Sequence, residues 1–491
     1  MPAEPALGID PSEFWLLLPE MVLAAAGMLL LVFGALGRGM GNRESAVFTL
    51  LALGATGVLV TLVAREVPQA RVILSGMFVI DGFAVFWKVL VLVATALTVF
   101  LSVGFVEEGR YRPGEYYSLL LLATTGMMLM ASGFHLLSIW ISLELMALSS
   151  YVLAGYFKRE TKSNEAALKY FILGALSSGI LLYGVSLLYG ATGTLGLAEL
   201  AAEIPRVLAG GELLLAVGWL LLAFGLFFKV AVVPFHVWTP DVYVGAPTPV
   251  TAYLAVASKA ASFAILVRIL YQGLPPLKFD WQLMVAAVAV LTMVWGNLAA
   301  LTQQNVKRLL AYSSIAHAGY VLVGVLAASE IGLWSVIFYL LAYSFITMGT
   351  FGTVILLERR EYAGETCADY AGLYRRSPFL AAMMLVFMVA LTGIPPTGGF
   401  VGKFYLFAAA VEAGWAWVAV VAVVMSALSL YYYFRIVVYM YQFEETETTP
   451  RPLRSPALVG AIAFCALATL LLGIVPGPFI ELARASLIPL P

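Results

Sequence analysis

The sequence predicts an all-α polytopic membrane protein, and three observations carry that fold class. First, 62% of the 491 residues are hydrophobic and only 11% are charged, under half the roughly 25% of a soluble domain. So few charges cannot coat a soluble protein of this size, which excludes an ordinary soluble enzyme. Second, the apolar residues run unbroken, as over residues 14–36, and about 20 such residues cross a hydrocarbon core as a helix. Strands of a transmembrane barrel would instead alternate apolar and polar in segments of about 10 residues. Third, Lys and Arg fall unevenly between the loops that separate these runs.

The runs define about 14 transmembrane helices. The first three, 14–36, 46–64 and 79–105, form an N-terminal block over 1–115. Segments 116–133, 135–155, 169–189, 213–239 and 248–271 form a five-helix repeat over 116–272. Segments 281–302, 309–327, 331–357, 379–411 and 415–441 form a second over 273–441, and a loop with segment 457–475 fills 442–491. Helices 7 and 12, each fourth in its block, are broken: one carries Pro234, the other Pro395 and Pro396 with Gly398 and Gly399. Proline removes a backbone donor and breaks a helix. Inside a membrane the freed groups persist only within protein or beside a wet cavity. Blocks with an odd number of helices insert in opposite senses, so these are two inverted repeats, and paired breaks in such repeats point to a transport pathway. Lys229 and Lys403 lie beside the two breaks, 174 residues apart, and the same offset carries Glu144 to the neighbour of His317.

Orientation follows from the loops. With the N-terminus on the non-cytoplasmic side, fifteen basic residues face the cytoplasm: Arg38, Arg43, Arg110, Arg112, Lys158, Arg159, Lys162, Lys307, Arg308, Arg359, Arg360, Arg375, Arg376, Arg451 and Arg454. Five face the other side: Arg65, Arg71, Arg206, Lys278 and Arg484. That is a strong positive-inside bias. The acidic start, with Glu4, Asp10 and Glu13, leads into a run of spanning length and does not read as a signal peptide.

Seven basic residues remain within or at the ends of the spans: Lys88, Lys169, Lys229, Lys259, Arg268, Lys403 and Arg435. Each centrally placed charge costs about 2.5–3.5 kcal/mol on insertion scales. Among the acids Glu144 sits deep, while Glu20, Asp81 and Asp241 lie nearer segment ends. Glu144, Lys229, Lys259, His317 and Lys403 make a row of titratable groups near mid-membrane, with His236 beside the Pro234 break as a further member. Burial disfavours an ammonium ion and a nearby carboxylate restores it, so Glu144 approaching or leaving Lys229 makes a proton switch. Histidine suits a relay.

Structural readings stand beside these. A lysine near a helix end snorkels to the interface, which is the reading for Lys88, Lys169, Arg268 and Arg435. Glu144 could serve as a static ion-pair partner, Lys259 as a packing residue and His317 as a satisfied core histidine. His236 serves a relay or bonds freed carbonyls. Lys307 and Arg308 read as a loop topology signal, Tyr431 to Tyr433 as packing, and 442–456 as a solvated loop. The net charge of −1 shows no basic stripe for nucleic acid. Two cysteines, Cys367 and Cys465, cannot ligate an iron–sulfur cluster of four thiolates, and no nucleotide fingerprint appears. The expectation is a chain without cofactor or metal of its own.

The stretches Phe228–Lys259, Asn305–Tyr320 and Leu391–Phe404 resemble the proton-translocating antiporter family. This family includes the antiporter-like membrane subunits of respiratory complex I, the NADH–quinone oxidoreductase, and subunits of multisubunit Na⁺/H⁺ antiporters. The resemblance spans essentially all fourteen segments. Two features narrow it: Lys403 stands where one branch has a glutamate, and the chain ends about sixteen residues after segment 14, too soon for another branch's long lateral helix. The GAPTPVT run at 245–251 fits the remaining branch. The resemblance implies proton relay roles for Glu144, Lys229, Lys259, His317 and Lys403, with a half-channel from each side of the cell (inner) membrane. It implies partnership with other membrane subunits, contact with lipid, protons and water, and FMN, iron–sulfur clusters and quinone on partner subunits, whose quinone reduction drives pumping. A Na⁺/H⁺ antiporter subunit is the alternative.

Overall fold

The computed structural model describes residues 11–36, 40–109, 112–211, 213–358, 364–445, 450, 452 and 455–490. Arg38, Arg110, Arg359, Arg360, Arg451 and Arg454 of the orientation count, together with Glu4, Asp10 and parts of the 442–456 loop, lie outside the described residues.

The chain opens with α1 (Leu18–Ala35) and α2 (Asn42–Glu66), then a short antiparallel hairpin of β1 (Arg71–Ile73) and β2 (Phe78–Ile80). Helices α3 (Gly82–Gly109), α4 (Pro113–Ser132), α5 (Leu136–Ala154) and α6 (Thr161–Thr192) follow. A surface helix α7 (Leu197–Gly210) precedes α8 (Leu213–Val230) and α9 (Trp238–Gly245). Next come α10 (Thr248–Tyr253), a π-helical turn, and α11 (Lys259–Arg268). The second half holds α12 (Lys278–Leu301), α13 (Val306–Ala327), α14 (Glu330–Leu357), α15 (Leu373–Arg376), α16 (Pro378–Thr392), α17 (Gly398–Glu412), α18 (Ala416–Gln442), α19 (Pro456–Ile474) and α20 (Gly477–Arg484).

Among the described residues twelve helical stretches are long and apolar enough to cross a membrane. The predicted segment 116–133 falls on the 20-residue α4, and 379–411 falls on the 15-residue pair α16 and α17. The sequence runs missed α7, whose buried Leu197, Leu200, Ile204 and Val207 recur every three or four residues. That spacing makes one apolar stripe on a surface helix.

Both predicted breaks are present. Helix α8 stops at Val230, Ala231 adopts a left-handed conformation at φ 61°, and a cis Val233–Pro234 bond precedes α9. Helix α16 stops at Thr392, Gly393 has φ 87°, and a cis Pro395–Pro396 bond precedes α17. Side chains collect the freed backbone groups. Val233 N–H donates to Thr292 Oγ1 at 3.0 Å, and Trp238 Nε1 donates to the Phe228 carbonyl at 3.1 Å. Thr397 caps the restarting helix through Phe400 N–H at 3.4 Å.

Burial sorts the helices. The stretch Thr248–Gly273 is 100% buried over its most apolar window, α13 94% and α14 89%, whereas α2 and α18 are 33% buried. The charged central helices are thus the ones shielded from lipid. Two glycines permit close packing: a Cβ on Gly184 of α6 would stand 2.6 Å from the Leu222 nitrogen of α8, and one on Gly296 of α12 would stand 2.7 Å from the Ala316 nitrogen of α13. Small residues of this kind let membrane helices approach backbone to backbone.

Several basic residues differ from the snorkelling expectation. Arg268 is fully buried and grips Asp81 with two bonds, at 2.8 and 3.0 Å, while also reaching Gln272 and the Ala131 carbonyl. It thereby ties α11 to the N-terminal block. Lys88 is buried against Glu20 at 2.8 Å. Lys307 is only 2% exposed, donates to the Ala246 carbonyl and pairs with Glu358 at 3.6 Å, so it is an internal tether rather than a loop charge. Arg435 donates to the Leu301 and Gln303 carbonyls. The physical reason is shared: each is long enough to find an acceptor inside the protein, which stabilises it more than reaching for the interface. Arg268→Ala should destabilise the protein by about 3–5 kcal/mol, the cost of leaving a buried partner unpaired. Removing Asp81 as well should recover part of the loss. Thermal unfolding of the purified chain in detergent measures both.

Candidate functional site

The six sequence-selected residues occupy the buried interior, but not as one chain of direct contacts. Lys229 is the penultimate residue of α8 and 5% exposed; Lys403 lies in the second turn of α17 and is 4% exposed. The two lysines stand on opposite sides of their breaks. The 174-residue spacing is therefore not the register that superposes the breaks, since Pro234 and Pro396 are 162 apart. Side-chain length reconciles the two. Lys403 Nζ turns back to donate to the Leu391 and Thr392 carbonyls at 2.8 and 3.0 Å, and to Ser426 Oγ at 2.9 Å. The Lys403 ammonium group thus attends the C-terminal end of α16, where the helix dipole favours a cation, while Lys229 belongs to the last turn of α8 and bonds Tyr151.

Glu144 is half-buried on α5 and accepts a bond from Ser178, whose hydroxyl in turn accepts from Trp140 Nε1 at 3.0 Å. Among the described residues no ion pair joins Glu144 to Lys229. Lys229 instead donates to Tyr151 Oη at 3.4 Å and lies 5.6 Å from the centre of that ring. Tyr151 is seven residues after Glu144, on the same face of α5. The two members of the proposed switch pair therefore have separate partners, Ser178 and Tyr151.

Lys259 starts α11 immediately after the π-helical turn Leu254–Ser258. Its Nζ donates to both the carbonyl and the hydroxyl of Ser314, each at 2.6 Å. One turn along α13, His317 is held at both ring nitrogens: Nδ1 by Tyr339 Oη, and Nε2 by Tyr433 Oη at 3.0 Å. Tyr433 also meets Ser313 Oγ at 2.5 Å. Tyr320, whose ring centre is 4.7 Å from Lys403 Nζ, accepts from Asn297 Nδ2 at 3.1 Å, and Tyr432 donates to Asn297 Oδ1 at 3.0 Å. His236 sits in the first break with its Nδ1 buried and without a partner among the described residues. It bonds to none of the other five.

Hydroxyls and tyrosines therefore hold most of the charged groups, each in its own cluster, and sequence reading missed them. Tyr432 and Tyr433, read as packing, both bond into the network. A pattern could have marked them: Ser313, His317 and Tyr320 recur at i, i+4 and i+7 on α13, while Ser426 and Tyr433 are seven apart on α18. Polar residues at helical spacing on an apolar helix share one face. Hydroxyls both donate and accept, so such an assembly can carry protons between lysines, which only donate.

The unequal bonding of the two lysines has a measurable consequence. Lys403→Met leaves the Leu391 carbonyl without its donor and the Thr392 carbonyl with the Ser426 hydroxyl alone, at a cost of about 1–3 kcal/mol. Lys229→Met removes one long bond and should cost less. Thermal unfolding of the two purified variants should rank them in that order.

Comparison with known proteins follows the same residues. Residues 133–429 match the family described as NADH:quinone oxidoreductase/Mrp antiporter, TM. The Rhizobium meliloti protein named NADH-quinone oxidoreductase subunit N 2 is 45% identical over 95% of this chain and 96% of its own length. A chain of respiratory complex I from Thermus thermophilus is 37% identical, covers 95% of this chain and 99% of its own, and superposes with a TM-score of 0.80. A chain of the Mrp complex from a Dietzia species is 26% identical over 95% of this chain and 96% of its own, with a TM-score of 0.81. With more than half its length matched and relatives this similar end to end, the chain is an integral, multi-pass membrane protein of the NADH:quinone oxidoreductase/Mrp antiporter family.

Proposed function

We propose that the chain is a proton-translocating membrane subunit of an NADH–quinone oxidoreductase, moving H⁺ across the cell membrane while quinone is reduced elsewhere in the complex. The observation that carries this is a set of buried lysines, two of them beside helix breaks, each bonded to a hydroxyl, with a doubly bonded histidine among them. A pair of charges serving only to hold helices would need no such hydroxyls. In this reading fourteen helices span the membrane, with the N-terminus on the non-cytoplasmic side. The N-terminal block over 1–115 supports inverted repeats over 116–272 and 273–441, and 442–491 closes the chain.

The roles follow from the chemistry. Glu144 sets the charge state of Lys229 through Tyr151 and Ser178. Lys259 passes protons by way of Ser314, Ser313 and Tyr433 to His317, and Lys403 is the terminal donor, with His236 serving water at the first break. FMN, iron–sulfur clusters and quinone belong to partner subunits, and other membrane subunits of that complex are the partners. The likeness to a Mrp complex chain keeps a cation/proton antiporter subunit as a second reading. The much higher identity to subunit N relatives favours the first. Co-purification of flavin and iron–sulfur proteins with this chain distinguishes the two.

Lys229→Ala tests the relay. In an assembled complex in proteoliposomes, NADH-driven acidification should fall at least about tenfold, the scale on which a positioned proton donor acts. An assembled variant that pumps normally refutes the role of Lys229.

A further inference from the structure

A cleft of about 660 Å³ opens where four helices meet at one end of the bundle. Helices α12 and α18 begin there, at Lys278 and Ala416, and α13 and α17 end there, at Ala327 and Glu412. We propose that this cleft is a lipid site, holding the zwitterionic headgroup of a bilayer phospholipid with its phosphate against Lys278 and its amine against Glu412. The proposal is independent of the relay reading above, since no residue of the cleft belongs to that relay.

The position suits a headgroup. Helices α12, α13 and α18 lie in the stretches Pro275–Leu301, Val306–Ala327 and Ala416–Gln442, each long and apolar enough to cross a membrane. The cleft sits at the ends of all three, which is where the hydrocarbon core gives way to the polar layer. Trp415 and Trp417 line it, with ring centres 6.4 Å apart, and tryptophan collects at that depth. The turn 413–415 holds them there: Gly414 has φ 85°, and Trp415 N–H donates to the Ala410 carbonyl at 2.8 Å. Helices α12 and α18 leave the cleft side by side, tied further along by Tyr432 to Asn297 and by Arg435 to the Leu301 carbonyl, each at 3.0 Å. Their next turns are apolar and exposed, with Phe279 and Leu283 on α12 and Trp417, Val420 and Val424 on α18. Spacings of three and four residues put each set on one helix face, where acyl chains below a bound headgroup would lie.

Exposed apolar faces alone would suit any lipid; the charges select one class. Lys278 and Glu412 are the two charged side chains that line the cleft, one of each sign. The helix ends repeat that pattern. Two N-termini bring the positive ends of their dipoles and two C-termini the negative ends. A purely anionic lipid would face Glu412 and two negative helix ends with nothing to offset them. A zwitterion meets both signs. The Lys278 ammonium has three donors to share with a phosphate, and the Glu412 carboxylate accepts from an amine.

The test uses the native membrane complex in phosphatidylglycerol vesicles doped with a phosphatidylethanolamine that carries a photoreactive diazirine in its acyl chain. After illumination, peptide mapping should find label concentrated on residues 279–283 and 417–424 relative to the other exposed helices. Replacing the phosphatidylglycerol with unlabelled phosphatidylethanolamine should remove that concentration by competition. Lys278→Gln with Glu412→Gln should lower the label on both segments about tenfold, since a hydrogen bond to a charged group is worth that factor or more. Label spread evenly over all exposed helices, or undiminished in the doubly substituted complex, would overturn the site. Label missing from both segments while other helices carry it would overturn it in favour of a neighbouring protein covering the cleft. The comparison of the two vesicle compositions uses the unaltered chain, so it decides the question even where the substituted complex assembles poorly.

Discussion

A helix that stops inside a membrane ends in carbonyl groups that need donors from elsewhere in the protein, and in this protein a buried lysine stands beside each such end. Lys229 belongs to the last turn before the first break, and Lys403 reaches back across the second to the Leu391 and Thr392 carbonyls. Helix ends of this polarity favour cations, and because lipid offers no donors the protein supplies them, Trp238 at the first break and Lys403 with Ser426 at the second. The breaks therefore do two things at once. They make buried lysines tolerable, and they interrupt the apolar wall at the depth where those lysines sit.

The surrounding architecture maintains that arrangement. The helices richest in polar contacts, from Thr248 to Gly273 and α13 and α14, are the most enclosed. Less buried helices such as α2 and α18 present apolar side chains outward. Buried pairs at Glu20 with Lys88 and at Asp81 with Arg268 join α1 to α3 and the start of α3 to α11. A buried pair is costly to break but is weak evidence of net stabilisation. Its value here is positional, because Arg268 and Lys259 occupy the two ends of the same ten-residue helix.

Much of this was legible in the sequence because lipid imposes a strict rule on it. Runs of spanning length, prolines inside two of them and charges stranded at depth were sufficient for the fold class, the two breaks and the buried positions of Lys229, Lys259, His317 and Lys403. Partner choice was less legible. Glu144 bonds Ser178 rather than Lys229, and Lys307 turned inward, because helix rotation decides which acceptor a flexible side chain meets. Tyr433, one of the two tyrosines that hold His317, was overlooked because a Tyr–Tyr–Tyr run in an apolar helix has the composition of packing. Only its spacing from Ser426 and the face it shares distinguish it. Helix α7 escaped because a single amphipathic stripe is too polar to look like a span and too short to stand out otherwise.

The central claim is that Glu144 and Lys229 move protons rather than merely hold α5 and α8 in place. The most direct measurement replaces both with uncharged residues of similar size, as Glu144→Gln with Lys229→Met, and follows NADH-driven acidification in proteoliposomes bearing the assembled complex. Such a swap is often neutral for a purely structural pair. The account predicts an intact complex in which proton pumping is lost. Pumping at the normal rate by the doubly substituted complex would contradict it.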